Sequence, residues 1–222
     1  MSKLNVSSAM VLAVAFGLFG ATDRAAAQKP KRFDLSVLGG GYFASDLYSA
    51  YNGANAVGKV HLADSWTYGG RIGFVPERHV GLEFSYARAV SDASATNPIT
   101  APGLQGASVT LDQFDFNFLF GQPKSSQGIG YFTLGLGWTT VSPTIPNTTA
   151  SGDTFFAWNF GIGVKAYLGE SALFRIDARY RGVDTNRTTG VYDYCDFYGY
   201  CYTYASSIYY SGEVTAGLGF RF

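Results

Sequence analysis

The chain has 222 residues, of which 14% are charged, 17% are aromatic and 28 are glycine. A typical soluble domain is about 25% charged, so an ordinary water-facing surface is not expected. The 16 basic residues balance the 16 acidic residues, which argues against nucleic acid as a partner because nucleic acid requires a basic surface. A chain rich in glycine and aromatic residues and poor in charge is typical of β-structure.

The first 27 residues have the three parts of a secretory signal peptide. Lys3 is basic, Ala9–Gly20 is apolar, and Ala25–Ala27 supplies the small residues of a cleavage site. We therefore predict a cleaved signal over 1–27 and a mature domain over 28–222; a retained amphipathic anchor is the alternative. No later segment approaches about 18 consecutive apolar residues, so the mature chain could enter a membrane only as β-structure.

Eight segments of the mature chain have apolar residues at every second position, which is the period of a β-strand with two different faces. The connections between them alternate between long and short, starting with a long loop over 44–65, so four long loops lie at one end and three short turns at the other. This order predicts an antiparallel up-and-down meander. The predicted strands are Phe33–Phe43, Trp66–Phe74, His79–Ala87, Val109–Phe120, Tyr131–Val141, Phe155–Leu168, Leu173–Gly182 and Tyr209–Phe222.

The size of the side chains indicates which face points inward. An eight-stranded barrel has an interior just wide enough to be filled by side chains, and four or five large apolar residues per strand are too bulky for it. The bulky face must point outward, where only lipid would accept it, so we predict a transmembrane eight-stranded antiparallel up-and-down β-barrel of the all-β class. Trp66, Trp138 and Trp158 fall near the long-loop ends, as in an interfacial aromatic girdle. The alternative is that these aromatics form the core of a soluble sandwich.

The other face of the strands carries charges of both signs, which survive in a lumen only when paired. From the turns and the closure of the barrel we expect Arg71 to pair with Glu83, Asp34 with Arg221, and Asp177 with both Lys165 and Arg175. A plug of ion pairs, a gated path for ions or water, and a substrate site are the three interpretations. The predicted lumen network is Asp34, Arg71, Glu83, Asp115, Lys165, Arg175, Asp177, Arg179, Arg181, Glu213 and Arg221.

The last long loop contains both cysteines, Cys195 and Cys201. An even pair in an exported chain predicts a disulfide, here closing the tip of a hairpin that extends the last two strands. Tyrosine suits recognition because it buries a large area at low entropic cost, although these aromatics could instead pack the hairpin and the girdle. The predicted contact residues are Tyr192, Tyr194, Phe197, Tyr198, Tyr200, Tyr202 and Tyr204.

Enzyme chemistry has little support in the sequence. The chain has two histidines, His61 in the first long loop and His79 at a short turn. His61 lies near Asp64 and Ser65, but a solvated loop histidine is the simpler interpretation. We therefore expect no catalytic residue, no metal site and no cofactor.

Several glycine and aromatic motifs resemble those of a known family: Gly39–Phe43, Gly69–Phe74, Gly81–Arg88, Gly130–Trp138, Leu173–Arg181 and the terminal Phe222. They resemble the small eight-stranded outer-membrane barrels of the outer membrane protein A transmembrane-domain type, which are grouped with porin-like proteins. The resemblance covers 28–222 and is specific for architecture rather than for activity.

The resemblance implies a place in a bacterial outer membrane, with the long loops extracellular and the termini periplasmic. It implies contact with outer-membrane lipid and lipopolysaccharide, and a C-terminal signal at Phe220 and Phe222 that the barrel-assembly machinery reads. The expected role is membrane integrity with loop contacts to a host, phage or matrix ligand. The alternative role is a narrow porin-like channel for ions or small solutes.

Overall fold

The computed structural model describes residues 32–52, 55–74, 80–95, 107–125, 128–144, 152–185, 194–195, 201–205 and 208–222. These residues form twelve strands in one sheet. They are β1 (Phe33–Ala44), β2 (Asp46–Asn52), β3 (Asn55–Leu62), β4 (Ser65–Phe74), β5 (Val80–Ala95), β6 (Ser108–Ser125), β7 (Gly128–Thr144), β8 (Asp153–Leu168), β9 (Ala172–Asp184), β10 (Tyr194–Cys195), β11 (Cys201–Ala205) and β12 (Ile208–Arg221). Within the described ranges, no helix has the length and apolar character needed to cross a membrane.

Eight of the strands close into an antiparallel barrel in the order β1, β4, β5, β6, β7, β8, β9, β12. The ring closes where β1 pairs with β12, from Asp34 opposite Arg221 to Ala44 opposite Ser211. Sequence neighbours are barrel neighbours throughout, apart from the strands inserted in two long connections. The predicted fold class is therefore confirmed.

The outer face of the barrel is apolar and the inner face is polar. On β7, Leu134 and Leu136 are 50% and 58% exposed, whereas the alternating Thr133 and Thr139 are buried. Such a surface is compatible with lipid rather than with water. The period-two pattern in the sequence is therefore a correct guide to the two faces.

Aromatic side chains cluster on the outer face near both ends of the barrel. At the long-loop end, Tyr180 lies between Phe160 and Tyr210, with ring centroids 5.4 and 5.7 Å away. At the other end, the ring of Phe33 lies 4.8 Å from Phe74 and 6.0 Å from Phe222. Two such bands are the arrangement expected at the two interfaces of a membrane.

Several strands extend beyond the long-loop girdle. β6 and β7 have 18 and 17 residues, whereas a strand needs about 9–11 to cross the bilayer. Past the girdle the outer face becomes polar, and Arg88 Nε donates to Asp112 Oδ1 at 2.7 Å there. This change explains why the predicted third strand was too short: β5 continues to Ala95 without the large apolar residues that mark its membrane portion.

The predicted first long loop, 44–65, contains two strands that the sequence pattern did not reveal. β2 and β3 form a hairpin, and β3 continues onto β5 through pairs such as His61 opposite Ser94. From the last long connection, β11 pairs with β2, and β10 pairs with β11. The first and last long connections are thus joined in one sheet that extends the barrel wall. The hairpin predicted beyond the last two strands is present as the β10–β11 pair, but its second strand also pairs with β2, which the sequence did not predict.

Candidate functional site in the barrel lumen

Ten charged side chains are buried in the described part of the chain, and all belong to inward positions of the barrel strands. Five are basic and five are acidic, so their formal charges sum to zero. Because isolated charges are very costly in a low-dielectric interior, this balance is required for the group to stay ionised. The ten are Asp34, Arg71, Glu83, Asp115, Lys165, Arg175, Asp177, Arg179, Arg181 and Glu213.

Glu83 on β5 is a centre of this network. One carboxylate oxygen accepts from Arg179 Nη2 at 2.6 Å and the other from Arg175 Nη1 at 2.8 Å. Arg71 and Lys165 lie farther off, each 3.9 Å from it. Four cations from three strands therefore surround one buried carboxylate.

Asp177 on β9 is the second centre. Arg71 Nη1 lies 2.6 Å from its Oδ2 as an ion pair, and Arg175 Nε donates to the same oxygen at 2.9 Å. The hydroxyl of Tyr131 also donates to Asp177. Arg175 Nη2 in turn donates to the Tyr131 oxygen at 2.8 Å. Each long cation thus contacts more than one acceptor, which fixes its direction across the lumen.

Two more ion pairs complete an eight-member network. Lys165 Nζ donates to Asp34 Oδ2 at 2.7 Å near the short-turn end, and Arg71 Nη2 donates to Glu213 Oε1 at 3.1 Å. Arg71, Lys165, Arg175 and Arg179 balance Asp34, Glu83, Asp177 and Glu213. We call this group the charged plug.

Arg181 and Asp115 form a separate pair closer to the long loops. Both Arg181 Nη atoms donate to the two Asp115 oxygens, each at 2.6 Å. Ser85 Oγ donates to Asp115 at 3.2 Å, and Asn117 Nδ2 donates to Ser85 Oγ at 3.1 Å. The pair is bidentate, which is the strong geometry for guanidinium and carboxylate.

Inward glycines make room for these side chains. A Cβ at Gly163 would lie 2.8 Å from Asp177 Oδ1, and one at Gly73 would lie 2.6 Å from Asp34 Oδ1. Any other residue at these positions would push against a buried carboxylate. The glycines on the inner face therefore provide space that the ion-pair network needs.

Two of the four expected pairings need correction. Asp34 is opposite Arg221 in register but pairs with Lys165, and Asp177 pairs with Arg71 and Arg175 rather than with Lys165. The expected Arg71–Glu83 pair is present, with Nε and Oε1 3.9 Å apart, although Asp177 and Glu213 lie closer to Arg71. The physical reason is that long side chains reach across the lumen to strands that are not neighbours, which register alone does not show.

Arg221 does not belong to the charged plug. It is only partly buried, its guanidinium lies 4.1 Å from the centre of the Tyr167 ring, and its Nε donates to the Glu170 carbonyl at 3.5 Å. Its position at the last residue of β12 places it on the rim of the barrel. The prediction of Arg221 as a lumen residue is therefore corrected.

The long-loop end of the lumen has an apolar filling that the sequence reasoning missed. Its members are buried and come from inward positions of seven barrel strands, from β3, and from Ala107 just before β6. We call this cluster the apolar cap: Tyr42, Leu62, Ala89, Ala93, Ala107, Val109, Leu111, Val141, Ala157, Val183 and Tyr209. The signal that could have revealed it is the replacement of inward polar residues by Ala, Val and Leu near each long loop.

The geometry is that of a closed membrane barrel, and the sequence matches a family of such barrels. The family described as "Outer membrane protein beta-barrel domain" matches residues 11–222. The chain belongs to this family.

Solved structures support the same fold. The outer membrane protein OprG from Pseudomonas aeruginosa is 14% identical, with 86% of this chain and 97% of that chain covered and a TM-score of 0.58. Neisserial surface protein A is 13% identical, with 86% and 97% covered and a TM-score of 0.55. The outer membrane protease OmpT from Escherichia coli is 11% identical, with 90% and 99% covered and a TM-score of 0.50. No curated protein matches the sequence.

The remaining predicted sites of this outer-membrane barrel are only partly within the described residues. Cys195 and Cys201 are opposite each other in the β10–β11 pair, and the disulfide stays a prediction. Tyr194 lies in β10, while Tyr202 and Tyr204 lie in β11. The signal peptide at 1–27, His79 and four predicted contact residues lie outside the described residues: Tyr192, Phe197, Tyr198 and Tyr200.

The C-terminal aromatics face away from the lumen. Phe220 and Phe222 are 66% and 65% exposed, and the backbone of Phe222 exchanges two hydrogen bonds with that of Phe33, at 2.9 and 3.0 Å. The last residue is thus tied to the first barrel strand. Its role as an assembly signal stays a prediction.

Proposed function

We propose that this outer-membrane barrel is a sealed structural protein that supports the membrane and contacts partners through its long loops. The observation that carries the proposal is the filled lumen: ten paired charges with a net charge of zero, followed by an apolar cap. A conducting pore needs a continuous polar path, and here two different fillings interrupt it. The ten charges come from seven of the eight barrel strands. Their ion pairs therefore link most of the barrel wall, which suits a mechanical role.

The contact surface is the sheet that joins the first and last long connections. β2, β3, β10 and β11 pair in the order β10–β11–β2–β3 and continue onto β5. A sheet attached to the barrel wall holds its residues in fixed positions, which lowers the entropic cost of binding. We place this sheet outside the cell and the short turns in the periplasm. Lipopolysaccharide would surround the outer wall, and the ligand would be a host, phage or matrix component.

Conductance in a planar bilayer tests the sealed lumen against the alternative of a narrow channel. We expect no conductance steps from the purified barrel, and none after Arg71→Ala or Glu83→Ala, because the apolar cap still closes the long-loop end. Each variant is first shown to be folded by its heat-modifiable gel mobility. Reproducible steps from the wild-type protein would reject the sealed barrel in favour of the channel.

Deletion of loop segments tests the contact role. Replacing 192–204 by a short glycine-serine linker should reduce adhesion, serum survival or phage uptake of expressing cells. Because β11 pairs with β2, replacing 46–62 should cause the same loss. Unchanged behaviour of both folded variants in all three assays would contradict the contact role.

We also propose that the protein is not an enzyme, although one structure of similar fold is a protease by its title. The support is that the chain has only two histidines, and that the buried charged groups of the lumen are committed to ion pairs. Analysis of lipid A from expressing cells tests this. An acyl chain lost or gained with the wild-type protein, but not with His61→Ala, would overturn it.

A further inference from the structure

The charges outside the lumen are distributed unequally between the two ends of the barrel. By their position in the sequence from residue 28 onward, eight acidic and three basic residues lie past the long-loop aromatic band, whereas two acidic and six basic residues lie at or past the short-turn band. The long-loop set is Asp46, Asp64, Asp92, Asp112, Asp153, Asp184, Asp193 and Asp196, with Lys59, Arg88 and Arg187. The short-turn set is Lys29, Lys31, Arg32, Arg78, Lys124 and Arg221, with Glu77 and Glu170. The barrel is therefore negative toward its long loops and positive toward its short turns.

Three cations of the short-turn end belong to described residues close to the aromatic band there. Arg32 is exposed and directly precedes Phe33, which is itself exposed on the outer wall. Arg221 lies between the two C-terminal phenylalanines, which are also exposed on the outer wall. Lys124 lies where β6 continues past the band. We call Arg32, Lys124 and Arg221 the basic rim.

The basic rim is not neutralised in the way that the charged plug is. Among the described residues, neither Arg32 nor Arg221 has an ion-pair partner, and Nε of Arg221 donates to the backbone carbonyl of Glu170 rather than to a carboxylate. Lys29 and Lys31 precede Arg32 in the sequence and add two further positive charges to this end of the chain. The short-turn end therefore keeps positive charge that an external anion can balance.

The depth of the basic rim indicates which anion it meets. An aromatic band marks the level of the lipid headgroups at a membrane interface, and long cationic side chains beside such a band place their charged ends among the headgroups. Anionic lipids attract basic residues at this level, within about one Debye length of the surface. A polymer beyond the headgroups would lie farther from Arg32 and Arg221, which adjoin the band. Charge and depth therefore both favour an anionic phospholipid.

We propose that the basic rim binds anionic phospholipid headgroups in the leaflet at the short-turn end of the barrel. The acidic residues at the other end repel the same headgroups, so the lipids around the two ends should differ in composition. This inference is independent of the role proposed above for the long loops, because it concerns only residues at the short-turn end.

Quenching of tryptophan fluorescence by brominated lipids tests the proposal in vesicles. The three native tryptophans lie toward the long-loop end, where Trp66 and Trp138 are exposed on the outer wall, and they report on the lipids there. A reporter for the short-turn end carries Phe33→Trp, with the native tryptophans all replaced by phenylalanine. Both leaflets of the vesicle have the same composition, so the result does not depend on the direction of insertion. Heat-modifiable gel mobility first shows that each protein is folded.

The lipid preference should differ between the two ends. At equal mole fractions, brominated phosphatidylglycerol should quench the Phe33→Trp reporter about twofold more strongly than brominated phosphatidylcholine. The native tryptophans of the wild-type protein should show no such preference. The preference at the reporter should disappear at about 1 M salt, where the Debye length is about 3 Å. Equal quenching of the reporter by the two lipids at low salt, or a preference that persists at high salt, would overturn the proposal.

Charge variants of the reporter identify the residues responsible. The rim variant replaces its three cations together: Arg32→Gln, Lys124→Gln and Arg221→Gln. The control variant replaces the three cations of the long-loop end: Lys59→Gln, Arg88→Gln and Arg187→Gln. The rim variant should shift the two lipids toward equal quenching, and the control variant should keep the preference.

Two results with these variants would contradict the proposal. One is a preference for phosphatidylglycerol that the rim variant leaves unchanged. The other is equal quenching of the reporter by both lipids together with co-sedimentation with peptidoglycan that only the rim variant loses, because the anionic partner would then be the cell-wall polymer.

Discussion

The lower and upper halves of the lumen are filled by opposite means. Toward the short turns, eight buried charges form the charged plug, in which Glu83 and Asp177 each contact several cations. Toward the long loops, the apolar cap packs like the core of a soluble protein. Both fillings are buried. The stability of the charged plug depends on the direction and the partner of each hydrogen bond, whereas the stability of the apolar cap depends only on how well its side chains fill the volume.

Each kind of filling belongs to a different level of the barrel. Strands that cross lipid must direct their apolar face outward, so their inner face receives the polar residues, and those must satisfy one another. Beyond the membrane the outer face can be polar, as at Arg88 and Asp112, and the inner face can then hold an ordinary apolar core. The boundary between plug and cap therefore follows the level at which the outer wall turns from apolar to polar.

The largest effect should come from removing a centre of the charged plug. Glu83→Ala leaves four buried cations with three anions, and breaking a buried pair typically costs about 3–5 kcal/mol because the remaining charge is uncompensated. Urea unfolding of the barrel in phospholipid vesicles measures this loss. Glu170→Ala, at an exposed turn, is the control and should unfold like the wild type. A loss for Glu83→Ala no larger than for the control would show that the plug does not stabilise the barrel.

The charged plug was only partly predictable from the sequence. Alternation identified its eight members, because a period of two assigns each residue to a face without any knowledge of contacts. The partners were not predictable, since Arg71 and Arg175 reach across the lumen to Asp177 and Glu83 over distances that depend on the closed barrel. Neighbours in register, such as Asp34 and Arg221, were a misleading guide for side chains of this length.

A smaller effect is expected from filling the space beside the plug. Gly163→Ala would place a Cβ 2.8 Å from Asp177 Oδ1 and against the Tyr131 hydroxyl. Overpacking of this kind costs about 1–3 kcal/mol, again measured by urea unfolding. Gly130→Ala is the matched control, because its Cβ would meet no atom within 4 Å. If both variants unfolded alike, the glycines would not be required by the network.

In the cap, truncation should cost less than in the plug because no charge is left behind. Val141→Ala removes two buried carbons, and we expect a loss of about 2 kcal/mol from burial and the residual cavity. Val90→Ala is the same change at a position that is 48% exposed, and its effect should be much smaller. Equal losses at the two positions would contradict the assignment of the cap as a packed core.

The cap was missed in the sequence because its members lack a distinctive pattern. Ala89, Ala93 and Ala157 are small enough to fit either face, and Leu62 comes from a strand inside a predicted loop. Their common feature is spatial: they meet at one level only after eight strands are aligned in register. Period-two reasoning treats each strand alone and therefore cannot distinguish a polar lumen from one that becomes apolar at one end.

The smallest effect is expected at the rim, where Arg221 ends β12. Its cation lies over the Tyr167 ring and contacts a backbone carbonyl, and a cation–π contact at a solvent-accessible site contributes about 0.5–1 kcal/mol. Arg221→Ala should therefore cost less than about 1 kcal/mol in urea unfolding. The same change at Arg175, which is buried among Glu83, Asp177 and Tyr131, should cost several times more. Similar losses for the two arginines would show that Arg221 belongs to the network and that the charged plug extends to the short-turn rim of the barrel.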